Sequence, residues 1–155
     1  INRPQEDRSH VTRQRLVETL STLLGGRAAE ETALGFVCTG AVSDLQRCTE
    51  IARDMVTKYG MSEKLGNVTF STGHDEVFIG RSMAQAKPYS EETAALIDRE
   101  VKALIDAAFD RSREILTRDR DKLELVARFL LKNETMTAEQ FQLLNDDPDR
   151  LAAQF

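Results

Sequence analysis

The sequence has no tryptophan, and only three prolines, two cysteines and two histidines in 155 residues. Each scarcity removes a class of function. Lys and Arg total 21 against 26 Asp and Glu, a formal charge of −5, so there is no basic stripe of the kind nucleic-acid binders use and no nucleic-acid partner is expected. No apolar run approaches the ~20 residues that a membrane-spanning helix requires, and the segment is expected to be soluble by itself. Cys38 and Cys48 form no CxxC pair and have no flanking histidine, which favours structural thiols in a reducing compartment over a disulfide or metal pair. His10 and His74 do not share the HExxH spacing that puts two imidazoles on one helix face with a glutamate between them. Each is expected to be a solvated loop residue. A phosphate-cradling P-loop and a G-x-S-x-G elbow are also missing. Taken alone, these residues contain no complete catalytic constellation.

What is present is helical patterning. Hydrophobic residues make up 41% and charged residues 30% of the chain, a balance that at this length fits one domain, residues 1–155, with its own core. After a polar lead-in, Thr12 reads as an N-cap for a helix carrying Leu16, Leu20, Leu23, Leu24 and Ala28 on one face. Gly25-Gly26 interrupts it. Either two helices meet at a glycine joint, or one helix continues and the glycines allow close backbone approach; the second is favoured. Gly35 to Val42 reads as a connection. Ser43-Asp44-Leu45-Gln46 then fits an S-x-x-Q capping box opening a helix over 43–59, with Leu45, Cys48, Ile51, Ala52, Met55 and Val56 as its buried stripe and Gly60 as a left-handed stop.

Residues 61–89 have a different texture. Gly66, Gly73 and Gly80 punctuate "NVTF" and "EVFIG", which predicts a long ordered loop with room for a short strand pair. From Ser90 a long helix holds Ile97, Val101, Leu104, Ala108 and Phe109 on one face. Another follows with Leu123, Val126, Ala127, Leu130 and Leu131, and Thr137 to Gln140 is a second capping box before Phe141 and Leu144. The tail, residues 145–155, is acidic and expected to fray. The fold class is mainly α, a helical bundle with one long irregular loop insertion.

Asp44 is the residue with most chemical interest. An acid in the first turn of a helix is stabilised by the free amides and the dipole, typically by ~0.3–1 kcal/mol, so helix opening alone accounts for it locally. Its approach through "CTGAVS" also allows it to be brought up to another element. Glu30 and Glu31, adjacent on a helix, point roughly 100° apart, so at most one faces inward. Arg27 and Glu31 are spaced for a surface ion pair.

The runs "LSTLLGGRAAEETALG", "TGAVSDLQRCTEIARDMVTKYGMSEKLG", "EVFIGRS" and "YSEETAALIDREVKALIDAAFDRSREIL" resemble the peptidase domain of FtsH-type ATP-dependent zinc metalloproteases, in the same motif order from about Glu6 to Phe141. The resemblance implies a helical domain attached to an AAA+ ATPase module, assembled as a homo-hexamer and acting on unfolded or membrane polypeptides. It implies membrane anchoring through upstream segments, with this domain on the cytoplasmic, matrix or stromal side. In the family, zinc is held by two histidines of an HExxH helix and by an aspartate at the position of Asp44. Glu30 or Glu31 would orient a metal-bound histidine, and the Ser43–Gln46 cap would fix the helix end. Ser43 stands where asparagine is usual and Cys48 where alanine is common.

The chain opens Ile1-Asn2-Arg3-Pro4 with neither an initiator methionine nor a signal-peptide layout, and is expected to be a fragment whose HExxH helix precedes Ile1. Zinc is then the cofactor of the complete domain, absent or weakly held here, and ATP acts only through the AAA+ module. No catalytic residue is expected within these residues. Two alternatives stay open: an inactive relative serving as a scaffold, and a helical protein-interaction module.

Overall fold

A computed structural model describes residues 10–70 and 88–154. The order is α1 (Arg13–Leu23), α2 (Gly25–Ala29), a π-helical turn (Glu30–Leu34), a 3-10 turn (Thr39–Ala41), α3 (Val42–Thr57), α4 (Glu91–Arg118), α5 (Arg120–Asn133), α6 (Ala138–Asp146) and α7 (Pro148–Ala152). The fold is mainly α, with no strand among the described residues. "NVTF" is not extended into a ladder, and "EVFIG" lies outside the described residues. Among those residues no helix is long and apolar enough to cross a membrane.

The chain divides into two compact units, Ile1–Ser112 and Arg113–Phe155, with the boundary inside α4. In the first unit, α1, α3 and the first part of α4 bury one apolar cluster. Leu20, Leu24, Cys48, Ala52, Met55, Val56 and Ile97 are at its centre. Full burial of a side chain the size of Leu or Met stabilises the fold by ~1.5–3 kcal/mol, so this stripe is what holds α3 in place. The cluster is tied by polar bonds at its edges. Ser112 Oγ donates to the Ser21 carbonyl, and Arg13 Nε donates to Met61 O at 3.3 Å. Glu100 on α4 accepts from Ser62 Oγ at 2.9 Å and pairs with Lys64 Nζ at 2.9 Å, which fastens the turn after α3.

Helix boundaries follow local chemistry in most places. Thr12 Oγ1 accepts the Arg15 amide at 3.2 Å, the predicted N-cap. Gly60 adopts φ +61, where a Cβ is disfavoured, and Met61 N–H closes onto Met55 O at 2.9 Å. Ser90 Oγ accepts the Thr93 amide at 3.2 Å ahead of α4. At Gly25-Gly26 neither predicted arrangement holds as stated. The irregularity falls one residue earlier, at buried Leu24, and helical geometry resumes at Gly25 with Ala28 N–H on Leu24 O at 2.9 Å. Among the described residues a Cβ at Gly25 or Gly26 would meet nothing within 4 Å, so no close backbone approach there requires either glycine.

The second unit packs Phe129, Leu144 and Leu151 together. Thr137 and Gln140 exchange both bonds of the predicted capping box, at 3.2 and 2.9 Å. Two expectations fail. The buried side of α5 is Phe129 with Leu125 and Val126, whereas Leu131 is 87% exposed. The segment from Asn145, predicted to fray, completes α6 and forms α7: Asp147 Oδ1 accepts the Arg150 amide at 3.1 Å, Pro148 takes the first turn, and Leu151 is fully buried.

Candidate functional site

The site is built from Arg27 onward. Glu30 opens the π-helical turn that ends at Gly35, whose φ of +70 reverses the chain while its N–H bonds Glu30 O at 3.1 Å. Only a residue without a Cβ adopts this conformation at little cost. The reversal sends Phe36-Val37-Cys38 back toward the helix it has just left. There the Cys38 N–H donates to Glu30 Oε2 at 3.1 Å and the Cys38 thiol donates to Glu30 Oε1 at 2.7 Å. Arg27 Nη1 donates to the Cys38 carbonyl at 3.4 Å. The thiol and the amide of Cys38 hold the Glu30 carboxyl below its usual value of 4.5, with Arg27 adding to the effect and desolvation opposing it. The carboxylate is therefore ionised at neutral pH, as an acceptor of two donors must be.

Cys38 is extended, and the next three residues form the 3-10 turn Thr39–Ala41, which runs into α3. This overturns the predicted cap at Ser43. The helix is already under way when the chain reaches Ser43; the N-cap position is Ala41 and no side chain caps it. Ser43 and Gln46 are both exposed on α3. A capping hydroxyl needs extended backbone at its own residue, and Ser43 is inside the first turn.

Asp44 lies in that same first turn and is exposed. Among the described residues its carboxylate accepts no hydrogen bond and forms no ion pair. An unengaged carboxylate at a helix start suits one oxygen ligand of a metal, and this is the part of a zinc donor set that the chain fits. The rest is not assembled around it: among the described residues no group of three or more His, Cys, Asp or Glu side chains could hold a metal ion. His10 is exposed and His74 lies outside the described residues. Glu30, one of the two acids considered for orienting a histidine, has an oxygen on each donor of Cys38; Glu31 is exposed.

Both cysteines are free, Cys38 exposed and Cys48 buried. Burial pushes the Cys48 thiol up to about 11, which makes it an inert core residue. The involvement of Cys38 and Arg27 was not visible in local patterning. The one signal was Gly35, a glycine between Leu34 and Phe36 that marks where the chain can turn back. Exposed apolar residues also gather along this segment: Leu34, Phe36, Val37 and Val42 are all between 47% and 60% exposed.

Residues 1–144 match the sequence model of Peptidase family M41. Among curated relatives, the ATP-dependent zinc metalloprotease FtsH of Caldicellulosiruptor bescii is 52% identical over 141 residues, covering 91% of this chain and 23% of the relative. The protein of the same name from Bacillus subtilis is 48% identical over 144 residues, 92% of this chain and 23% of the relative. FtsH 1 of a Thermoanaerobacter species is 43% identical over 152 residues, 98% of this chain and 25% of the relative. The chain thus spans about a quarter of the length of these relatives. The chain belongs to Peptidase family M41, the family of FtsH-type zinc metalloproteases.

Proposed function

We propose that these residues form part of the peptidase domain of an ATP-dependent zinc endopeptidase, and that Asp44 contributes one carboxylate oxygen to its zinc. The observation that supports this is the Asp44 carboxylate, unengaged among the described residues, on a helix held by a buried stripe, in a chain 52% identical over 141 residues to a zinc metalloprotease. Two imidazoles at HExxH spacing would complete the donor set, and these 155 residues do not contain them. By themselves, then, the residues hold zinc weakly and cleave no peptide.

When bound, zinc supplies Lewis acidity that makes water an effective nucleophile near neutral pH. The chain's own contribution is to hold the Asp44 oxygen in place and to offer apolar contacts to a polypeptide. Leu34, Phe36, Val37 and Val42 suit the apolar side chains of unfolded protein, the substrate class we assign. Homo-hexameric assembly, coupling to ATP through an AAA+ module and membrane anchoring by other segments belong to the same reading of the whole protein.

The test is degradation of an unfolded protein such as casein by the whole zinc-loaded protein with ATP. Asp44→Asn is expected to abolish degradation while circular dichroism stays unchanged. Full activity in Asp44→Asn, or none in the unmutated protein, would overturn the reading; the latter result would favour the inactive scaffold.

A further inference from the structure

No side chain caps the start of α3; the 3-10 turn leads directly into it and puts Val42 N–H on Thr39 O, so the first turn of α3 takes its register from the residues before it. Asp44 sits in that turn, so its position depends on the residues that lead into it. Ala41 is buried, 7% exposed. Before it comes Cys38, all of whose hydrogen-bonding groups are engaged by one short stretch: its amide and thiol by Glu30, its carbonyl by Arg27. The Gly35 reversal is what brings these partners together.

We infer that Cys38 is a positioning residue: clasped by Glu30 and Arg27, it fixes the 3-10 turn and so sets where the Asp44 carboxylate lies. This rests on the reading of Asp44 as a zinc ligand only for its consequence on metal binding; the mechanical link stands on the hydrogen bonds alone. The clasp anchors the residue from which the 3-10 turn starts. Glu30 acts through it on the loop. A serine at position 38 would retain a donor for Glu30, and an alanine would leave only the amide.

Two measurements on the whole protein separate the possibilities, using Cys38→Ala, Cys38→Ser, Glu30→Gln and Asp44→Ala. The first is amide hydrogen exchange over residues 38–46 without metal. Cys38→Ala and Glu30→Gln are expected to accelerate it by about tenfold, the size that loss of one charge-assisted hydrogen bond supports, and Cys38→Ser to restore it. The second is zinc affinity by chelator competition. Cys38→Ala is expected to lose roughly tenfold, within the range for partners that orient a ligand, with recovery in Cys38→Ser.

Unchanged exchange in Cys38→Ala would overturn the clasp. Faster exchange with unchanged zinc affinity, where Asp44→Ala does lose zinc, would overturn the claim that Cys38 positions the carboxylate. Zinc affinity unaltered in Asp44→Ala would instead overturn the proposed metal role of Asp44, and exchange alone would then decide the clasp.

Discussion

Glu30 receives both donors of Cys38, the thiol at 2.7 Å on one oxygen and the amide at 3.1 Å on the other. The arrangement requires an ionised carboxylate, and its pKa is accordingly lowered in the folded state. Linkage fixes the sign: the clasp stabilises the fold fully above the unfolded-state value and is lost as pH falls through the lower folded value. In an NMR titration the Cys38 amide proton should shift with a midpoint below 4.5, the ordinary value for the acid, and Glu30→Gln should abolish that shift. A midpoint at or above 4.5 would mean the clasp does not form.

The two thiols differ in access. Cys48 is completely buried and its pKa is raised to about 11 by burial, so its reactive thiolate is scarce near neutral pH. Titration of the native protein with a thiol reagent should modify Cys38 first, with Cys48 reacting only on unfolding. In Cys38→Ala no thiol should react before unfolding. Rapid modification of both cysteines would contradict the burial of α3.

Packing predicts a sharp contrast between two leucines. Leu20 is fully buried between α1 and α3, while Leu131 on α5 is 87% exposed. Leu20→Ala should cost ~2–5 kcal/mol, and Leu131→Ala should fall within about 0.5 kcal/mol of no change. Urea denaturation measures both.

Two glycines should respond in opposite directions. Gly26 lies in α2, and an added Cβ there meets nothing within 4 Å. Gly26→Ala should therefore stabilise the domain by about 0.4–1 kcal/mol, through lower chain entropy in the unfolded state. Gly60 has φ +61, and Gly60→Ala should cost about 1–2 kcal/mol. Thermal unfolding of the pair tests whether the chain path around each is as described.

How far the sequence foretold these features depended on how local their causes were. The Thr12 and Thr137 caps and the Gly60 stop involve only neighbours within a few residues, and all three form as predicted. Ser43-Asp44-Leu45-Gln46 has the same local signature but fails, because the 3-10 turn has already started the helix at Val42. On α5, Leu130 and Leu131 looked as apolar as Phe129, and only packing against α6 and α7 selects Phe129. The tail was misjudged for a similar reason: its composition is acidic, but Asp147, Pro148 and buried Leu151 make it a capped helix. Asp44, singled out by its motif, lies in the first turn of α3. The Glu30–Cys38 clasp was not legible in the sequence, since it depends on the Gly35 reversal bringing distant polar groups together.

The central claim is that Asp44 gives an oxygen to zinc, and the most direct measurement is the zinc affinity of the whole protein carrying Asp44→Ala. Competition against a chromophoric chelator should show a loss larger than the roughly 10–100-fold that removal of an orienting partner causes, with the helical circular dichroism retained. Unmutated affinity in the folded variant would contradict the account and leave Asp44 as an acid that merely opens α3.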